Sequence, residues 1–267
     1  MRFTKMKLKK LNNCRDLGGL PAEGGKTVKY GKLIRSSRLY KLPKITVKAL
    51  KDYGVTTIVD LRTENEQKEK PRTVIEGINY VDLPILTTST AAITNDASVV
   101  KIIFKESERI KTEYGTADNY MKAMYVNVLL GDTSKEQLKR FIDLAVKEEG
   151  CILWFCNQGK DRTGIISMLL EGLLGVDEET IVADYVASAK FLGKKRRAQK
   201  LGLAIVPCPR RYKLILRALI NVKPQYIRSA IDEINSIYGS ISEYCKQHLG
   251  VTQEDINTLK EKYLERV

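Results

Sequence analysis

The chain is short of the residues on which most catalytic and metal-binding machineries depend. Its 267 residues include a single histidine, His248. A Ser-His-Asp or Cys-His protease needs an imidazole beside its nucleophile, and a two-histidine zinc site needs two. That one count nearly closes both. Cysteine is scarce, odd in number and scattered over positions 14, 151, 156, 208 and 245, with no Cys-x-x-Cys pair. This argues against structural zinc and redox dithiols and fits reduced thiols in a cytoplasmic setting. No apolar run reaches the roughly 18 residues of a membrane span. Residues 1–13 are basic but lack the apolar stretch of a secretory signal. A cytoplasmic location is therefore expected, with export by a route without a signal left open. Internal repeats, low-complexity tracts and linker-like stretches are absent as well, so one domain over 1–267 is expected.

Acidic residues are outnumbered: 46 Lys+Arg face 32 Asp+Glu, a net charge of +14. Such a balance points to an anionic partner, whether nucleic acid, a lipid surface or a phosphorylated substrate, or to a lysine-rich solvated surface. Charge does not separate these. No aromatic-interleaved basic motif supports nucleic acid, and none is expected as a partner. Peripheral contact with an anionic membrane fits the charge, and no obligate protein partner is evident.

The patterning alternates strand and helix through the middle of the chain. Short strands at 27–30 and 32–34 flank Gly31 as a hairpin. Thr46 opens a short helix, with Ile45 and Leu50 as a hydrophobic staple. Val55–Asp60 and 79–83 read as strands, and 87–98 as a Thr/Ser/Ala-rich loop. Ala117–Leu130 reads as a helix. Thr133-x-x-Glu136 is a capping box opening another, with Leu138, Phe141, Ile142 and Ala145 on one face. The unbroken apolar run Cys151–Cys156 is the signature of a strand buried on both faces. Ile165, Met168, Leu169 and Leu173 mark a buried helix, and Asp177, Pro224, Ser240 and Thr252 open four more. The expected fold is α/β: a central, mostly parallel sheet flanked by helices, with a helical C-terminal third.

Chemistry concentrates where that buried strand ends. Cys156-Asn157-Gln158-Gly159-Lys160-Asp161-Arg162-Thr163-Gly164 runs from the strand through a polar turn into a helix. The cysteine stands at the carboxyl edge of the sheet, where open α/β folds bind ligands. A tight turn entering a helix N-terminus points backbone N–H groups into one space and suits phosphate. The same positive field favours a thiolate without a histidine base. Arg162 can fork two donors onto phosphate oxygens, and Thr163 can hydrogen-bond the thiolate. A thiolate held against a bound phosphate is an in-line nucleophile for phosphoryl transfer and calls for no metal and no cofactor. A nucleotide-binding P-loop fails, because Trp154 and Asp161 stand where it needs Gly and Ser or Thr.

Cys-x5-Arg-Thr in this setting resembles the protein tyrosine phosphatase superfamily, and Gly-Lys-Asp-Arg-Thr-Gly resembles its bacterial tyrosine, dual-specificity and lipid phosphatase branch. The likeness extends over nearly the whole chain. Asn13-Cys14-Arg15-Asp16-Leu17-Gly18-Gly19, Leu33-Ile34-Arg35-Ser36-Ser37-Arg38-Leu39, Ile58-Val59-Asp60-Leu61-Arg62, residues 173–188 and Tyr238-Gly239-Ser240…Tyr244 match further motifs of that branch in order. The resemblance implies a cysteine-phosphatase-like fold, Cys156 as nucleophile and Arg162 as phosphate clamp. The backbone of 157–162, with Asn157, Gln158, Gly159, Thr163 and Gly164, would form the cradle, and Lys160 would add charge. It implies phosphotyrosine proteins and phosphoinositides as substrates, inorganic phosphate or sulfate as occupants of the loop, and a helical lid within 190–222.

Two departures stand out. The superfamily usually places His before the nucleophile, and this chain has Phe155, which is expected to weaken the thiolate or slow turnover. Some relatives keep an Asp shortly after a Leu-Pro, but Leu83-Pro84 is followed by no carboxylate through Thr90. The general acid is therefore assigned first to Asp161, with Asp82 and Asp96 in reserve; Asp161 could instead only hold the loop by hydrogen bonds. Asp60 with Arg62 reads either as a structural ion pair or as a substrate contact. Lys194-Lys195-Arg196-Arg197 reads either as a solvated face or as a surface for acidic lipid or phosphoprotein. Cys151 and Cys156 should point to opposite faces of their strand, too far apart for a disulfide. Against an active phosphatase stands one alternative, a weak or inactive phosphatase-like module that binds phosphorylated ligands.

Overall fold

The computed structural model describes residues 3–85, 107, 109–205 and 207–266. The run Cys151–Cys156 forms β8, the fully buried centre of a six-stranded sheet ordered β1-β2-β5-β8-β6-β7. Here β1 is Thr4–Lys5, β2 Arg15–Asp16, β5 Leu33–Ser37, β6 Val55–Asp60 and β7 Asn79–Asp82. β5, β8, β6 and β7 run parallel, and β2 and β1 add antiparallel at one edge. A second, three-stranded sheet joins β3 (Pro21–Ala22), β4 (Lys26–Val28) and β9 (Leu264–Arg266), tying the two ends of the chain together.

β8 has no polar face because it separates two cores. Ile152, Trp154 and Cys156 face the larger, and Cys151, Leu153 and Phe155 the smaller. The alternation follows from the two-residue period of a strand. The larger core is closed by α3 (Ala117–Leu130), α4 (Asp132–Lys147), α5 (Asp161–Leu173), α6 (Glu178–Phe191), α9 (Pro224–Tyr238), α10 (Ile241–Gln247) and α11 (Gln253–Tyr263). The smaller is closed by α1 (Lys44–Asp52) and the segments around Leu39, Leu42 and Ile75. Between β6 and β7 lies the short α2 (Glu64–Glu69), and α7 (Gly193–Ile205) and α8 (Arg210–Ile220) fill the stretch expected to form a lid.

Several local expectations need correction. The strands on either side of Gly31 form no hairpin. β4 pairs with β3 and β9, whereas β5 enters the large sheet. Thr46 is not a cap; Pro43 is, and the Thr46 hydroxyl is buried against the Lys9 carbonyl at 2.7 Å. Thr133 lies inside α4, whose N-cap is Gly131, so no capping box forms there. Long-range packing has overridden local signals in the first two. Asp177, Ser240 and Thr252 do cap their helices through side-chain oxygens, and Pro224 sits at the first turn of α9. The loop read at 87–98, and with it Asp96, lies outside the described residues.

Candidate active site

Cys156, the last residue of β8, is 1% exposed, and α5 begins at Asp161, so four residues make the turn between them. The turn needs glycine at one point. Gly159 has φ +69°, and a Cβ there would sit 2.2 Å from the Ser36 carbonyl oxygen. Two side chains hold its carbonyls from below. Asn13 Nδ2 donates to Gln158 O at 3.1 Å and to Gly159 O at 2.7 Å, and Arg35 Nη2 donates to Gly159 O at 3.2 Å. Drawing the carbonyls outward leaves the amides turned inward, the condition for an anion cradle.

Those supports rest on a buried ion cluster. Arg15 donates to Asn13 Oδ1 at 2.6 Å and to Asp184 Oδ1 at 2.6 Å, and Arg35 pairs with Asp184 Oδ2. Burial alone would raise the Asp184 carboxyl, but Arg15 and Arg35 hold it below its ordinary range. Glu171, buried beside it, goes the other way: burial and then the Asp184 charge push it well above the usual carboxylate range. Burial beside Asp184 therefore favours the protonated form of Glu171 in the folded protein.

Arg162, fully buried in the first turn of α5, is gripped by Glu66 of α2. Nη1 donates to Glu66 Oε2 at 2.7 Å and to Leu61 O at 3.2 Å, and Nη2 donates to Glu66 Oε1 at 2.8 Å. Burial pulls the guanidinium down, but the hydrogen bonds and charge of Glu66 outweigh it and leave Arg162 above its ordinary value. The same carboxylate closes a capping box with Thr63 at the start of α2. Thus Glu66 does two jobs at once, and Arg162 presents a fixed fork.

Lys160 and Asp161 pair with each other. Lys160 Nζ lies 2.8 Å from Asp161 Oδ1 and also donates to Asn221 O, just beyond α8, at 3.3 Å. Tyr125 Oη donates to the same Asp161 oxygen and lies 2.7 Å from Tyr185 Oη. Burial, and then the Asp161 charge, push both phenols well above their ordinary values. Asp161 Oδ2, Arg162 Nε and Thr163 Oγ1 are buried without a hydrogen-bond partner among the described residues. The hydrogen bond expected from Thr163 to Cys156 is therefore not formed. Gly164 lies against Tyr185, where a Cβ would come within 3.0 Å of the ring.

The remaining expectations sort as follows. Arg62 and Asp60 form a buried ion pair at 2.7 Å, and Arg62 also donates to Lys70 O at 2.8 Å, so its donors point into the protein. The Arg62 guanidinium covers the Phe155 ring at 5.1 Å, and Phe155 is packed in the smaller core where the superfamily's histidine would stand. Asp82 is tied to Arg72. In the basic run, Lys194 and Arg197 are exposed. Arg196 turns inward to Ile220 O and Ala189 O at 3.3 and 3.1 Å, and Lys195 is half-buried. All five cysteines are free thiols, and burial pushes Cys14 and Cys151 up to about 12.

The roles of Glu66, Tyr125, Tyr185 and Asp184 escaped the sequence. A signal existed for one of them, since Thr63-x-x-Glu66 is a capping-box pattern directly after Arg62. Tyr125 and Tyr185 carry no local signal, because helix packing alone brings them to Asp161.

Comparison with known proteins bears on the chain as a whole. The tyrosine phosphatase family profile matches residues 6–265. A Cupriavidus necator protein with a provisional tyrosine-protein phosphatase name is 26% identical over 260 residues, covering 95% of this chain and 86% of that one. The triple specificity protein phosphatase PtpB of Mycobacterium tuberculosis is 26% identical over 271 residues, covering 93% of this chain and 95% of its own. Among solved structures, P. aeruginosa TpbA aligns with 77% of this chain and 91% of its own at 15% identity, with a TM-score of 0.28. That likeness is too distant to bear on the site.

Proposed function

The chain belongs to the tyrosine phosphatase family and is a phosphatase of that cysteine-dependent class; from this premise we propose how its residues divide the work. Cys156 Sγ attacks phosphorus in line, so that an S–P bond forms as the P–O bond to the leaving group breaks. The amides of the turn and Arg162 hold the non-bridging oxygens, with Arg162 Nε, a buried donor without a partner among the described residues, free to donate to one of them. Asp161 supplies the proton to the leaving oxygen. Its Oδ1 is taken by Lys160 and Tyr125, which leaves Oδ2 to carry that proton. Water then attacks the phosphocysteine and gives its proton to Asp161, releasing phosphate and the thiolate.

One observation carries this reading: a buried cysteine ends the central strand and faces an arginine already locked in a bidentate grip at the start of the next helix. Family membership favours turnover over the binding-module alternative. Phosphotyrosine proteins are the first substrate class and phosphoinositides the second, the triple specificity of a full-length relative lending support to a broad range. The α7–α8 hairpin acts as a lid. Lys160 bonds to the chain just after it, Arg196 staples its two ends, and Cys156 beneath is sealed from solvent.

The test is hydrolysis of p-nitrophenyl phosphate in excess EDTA by the native protein and by Cys156→Ser. Turnover that survives EDTA and vanishes in the variant is expected. No turnover by freshly reduced native protein between about pH 5 and 8 would return the choice to the binding module.

A further inference from the structure

A second basic pocket borders the phosphate loop, and the reaction above makes no use of it. Its volume is about 320 Å3. Asn157 is the wall it shares with the loop, and Lys10, Arg38, Lys41 and Lys195 bring four cations to it. No Asp or Glu is among the described residues that line it. The interior of the site is different, for Arg15, Arg35, Arg62 and Arg162 are each paired with a carboxylate. Burial, then Arg38 and Lys70, push the Lys195 ammonium down to about 8, with Cys156 opposing. These cations crowd one another.

The backbone points to the same place. Among the described residues, three that are not glycine have a left-handed φ: Lys10 at 62°, Asn13 at 51° and Lys41 at 48°. Asn13 is accounted for by its hold on the loop. Lys10 and Lys41 both line this pocket. Strained backbone persists where the surroundings over-determine it and gathers at binding sites. Tyr40 fixes two of the cations, with Lys41 Nζ 5.2 Å and the Arg38 guanidinium 5.9 Å from its ring centroid. Arg38 is also bound to Asn157 through its side chain, and its backbone N–H donates to the Asn157 carbonyl at 3.4 Å. A ligand in the pocket therefore touches the residue that follows the nucleophile in the chain.

We propose that this pocket is a second phosphate subsite, which takes the neighbouring phosphate of a substrate carrying two phosphomonoesters on one small ring. The proposal rests on the phosphatase reading and narrows its substrate class. The shared wall at Asn157 requires both phosphates on one compact scaffold. Successive side chains of an extended peptide point to opposite faces and would not reach both sites together. A polyphosphorylated inositol ring has the required chemistry, whether free or as a lipid headgroup.

The experiment uses the full-length Cys156→Ser protein, in which binding is read without turnover. Its affinity is measured by calorimetry for soluble inositol bisphosphate with adjacent phosphates and for inositol monophosphate. The bisphosphate is expected to bind about ten- to a hundredfold more tightly, the range of one or two charge-assisted hydrogen bonds. Adding Lys10→Gly and Lys41→Gly, both of which tolerate the left-handed backbone, should erase most of that ratio while leaving monophosphate affinity within about twofold. Vesicles bearing phosphatidylinositol bisphosphate should show the same ratio. Equal affinity for the two soluble ligands, a preference seen only on vesicles, or one seen only with a doubly phosphorylated peptide would overturn the subsite. Turnover of p-nitrophenyl phosphate by the protein with Cys156 intact is scored separately, so a failure of the phosphatase reading is distinguished from a failure of the subsite.

Discussion

Glu66→Gln is a test in which shape is kept and charge is lost. Glu66 and Arg162 are 6% and 0% exposed, and two hydrogen bonds of 2.7 and 2.8 Å join them. Glutamine retains one acceptor but sets its NH2 against an Arg162 nitrogen, donor to donor. A charge-assisted hydrogen bond contributes about 1.5–3 kcal/mol, and an uncompensated buried charge costs more. Leu61 O and any bound phosphate offset part of this, so a loss of about 2–3 kcal/mol is expected. Expressed fully in the transition state, that is about 30- to 150-fold in kcat/KM, read with p-nitrophenyl phosphate. Expressed in the ligand-free fold it lowers Tm by roughly 4–10 °C. Thr63→Ala separates the roles of Glu66, since it removes the helix cap and leaves the grip on Arg162. The pH dependence has a fixed sign. Burial raises Glu66, yet the hydrogen bonds and charge of Arg162 hold it below its ordinary range. The stabilisation is therefore complete above the unfolded value of about 4.3 and is lost as pH falls through the lower folded one. Native and variant melts should converge in acid. A kcat/KM within about threefold of native at neutral pH, or a Tm gap unchanged in acid, would refute the argument.

Three other outcomes are expected. Asp161→Asn should lower kcat on phenyl phosphate, a poor leaving group, by about a hundredfold or more, and much less on p-nitrophenyl phosphate; equal losses on the two esters would remove Asp161 as the acid. Gly159→Ala would place a Cβ 2.2 Å from Ser36 O at φ +69°, so turnover should fall to the level of Cys156→Ser, and retained activity would contradict the cradle geometry. Burial and then the Asp184 charge push the Glu171 carboxyl well above the usual carboxylate range, so the folded state binds the proton more tightly and stability falls as pH rises from the unfolded value of about 4.3 towards the folded one. Glu171→Gln should melt higher than native at neutral pH and match it in acid; a lower melting temperature at neutral pH would reverse the assignment.

The parts of this molecule that could be read from sequence are those whose cause is local. The apolar run Cys151–Cys156 announces a strand buried on both faces, because no exposed surface tolerates six such residues in succession. Cys156, Gly159 and Arg162 are likewise legible, since a phosphate-binding turn needs those residue types within a few positions. Pro224, Asp177 and Thr252 mark helix starts through backbone chemistry that acts within four residues. What failed was decided at a distance. Thr46 has the composition of a cap, but the Lys9 carbonyl draws its hydroxyl inward. Gly31 separates strands that belong to different sheets because β9, from the far end of the chain, claims β4. Glu66 and Tyr125 meet Arg162 and Asp161 across 96 and 36 positions respectively, and no periodicity encodes that.

The distribution of charge explains how a protein this basic builds a site so deeply buried. Inside, Arg62 is paired with Asp60, Arg162 with Glu66 and Lys160 with Asp161, while Arg15 and Arg35 share Asp184. An unpaired interior cation would carry a prohibitive desolvation cost, so these pairs hold geometry rather than supply attraction. Attraction must then come from groups that need no counter-charge: the inward amides of the turn and the N-terminus of α5. At the rim the rule reverses. Lys10, Arg38, Lys41 and Lys195 meet with no lining carboxylate, which is tolerable because water still reaches them. A phosphorylated ligand would meet the unpaired cations of the rim first and the paired ones of the interior second. Recruitment should therefore weaken with ionic strength, whereas the orientation of Cys156 and Arg162, fixed by buried pairs, should not.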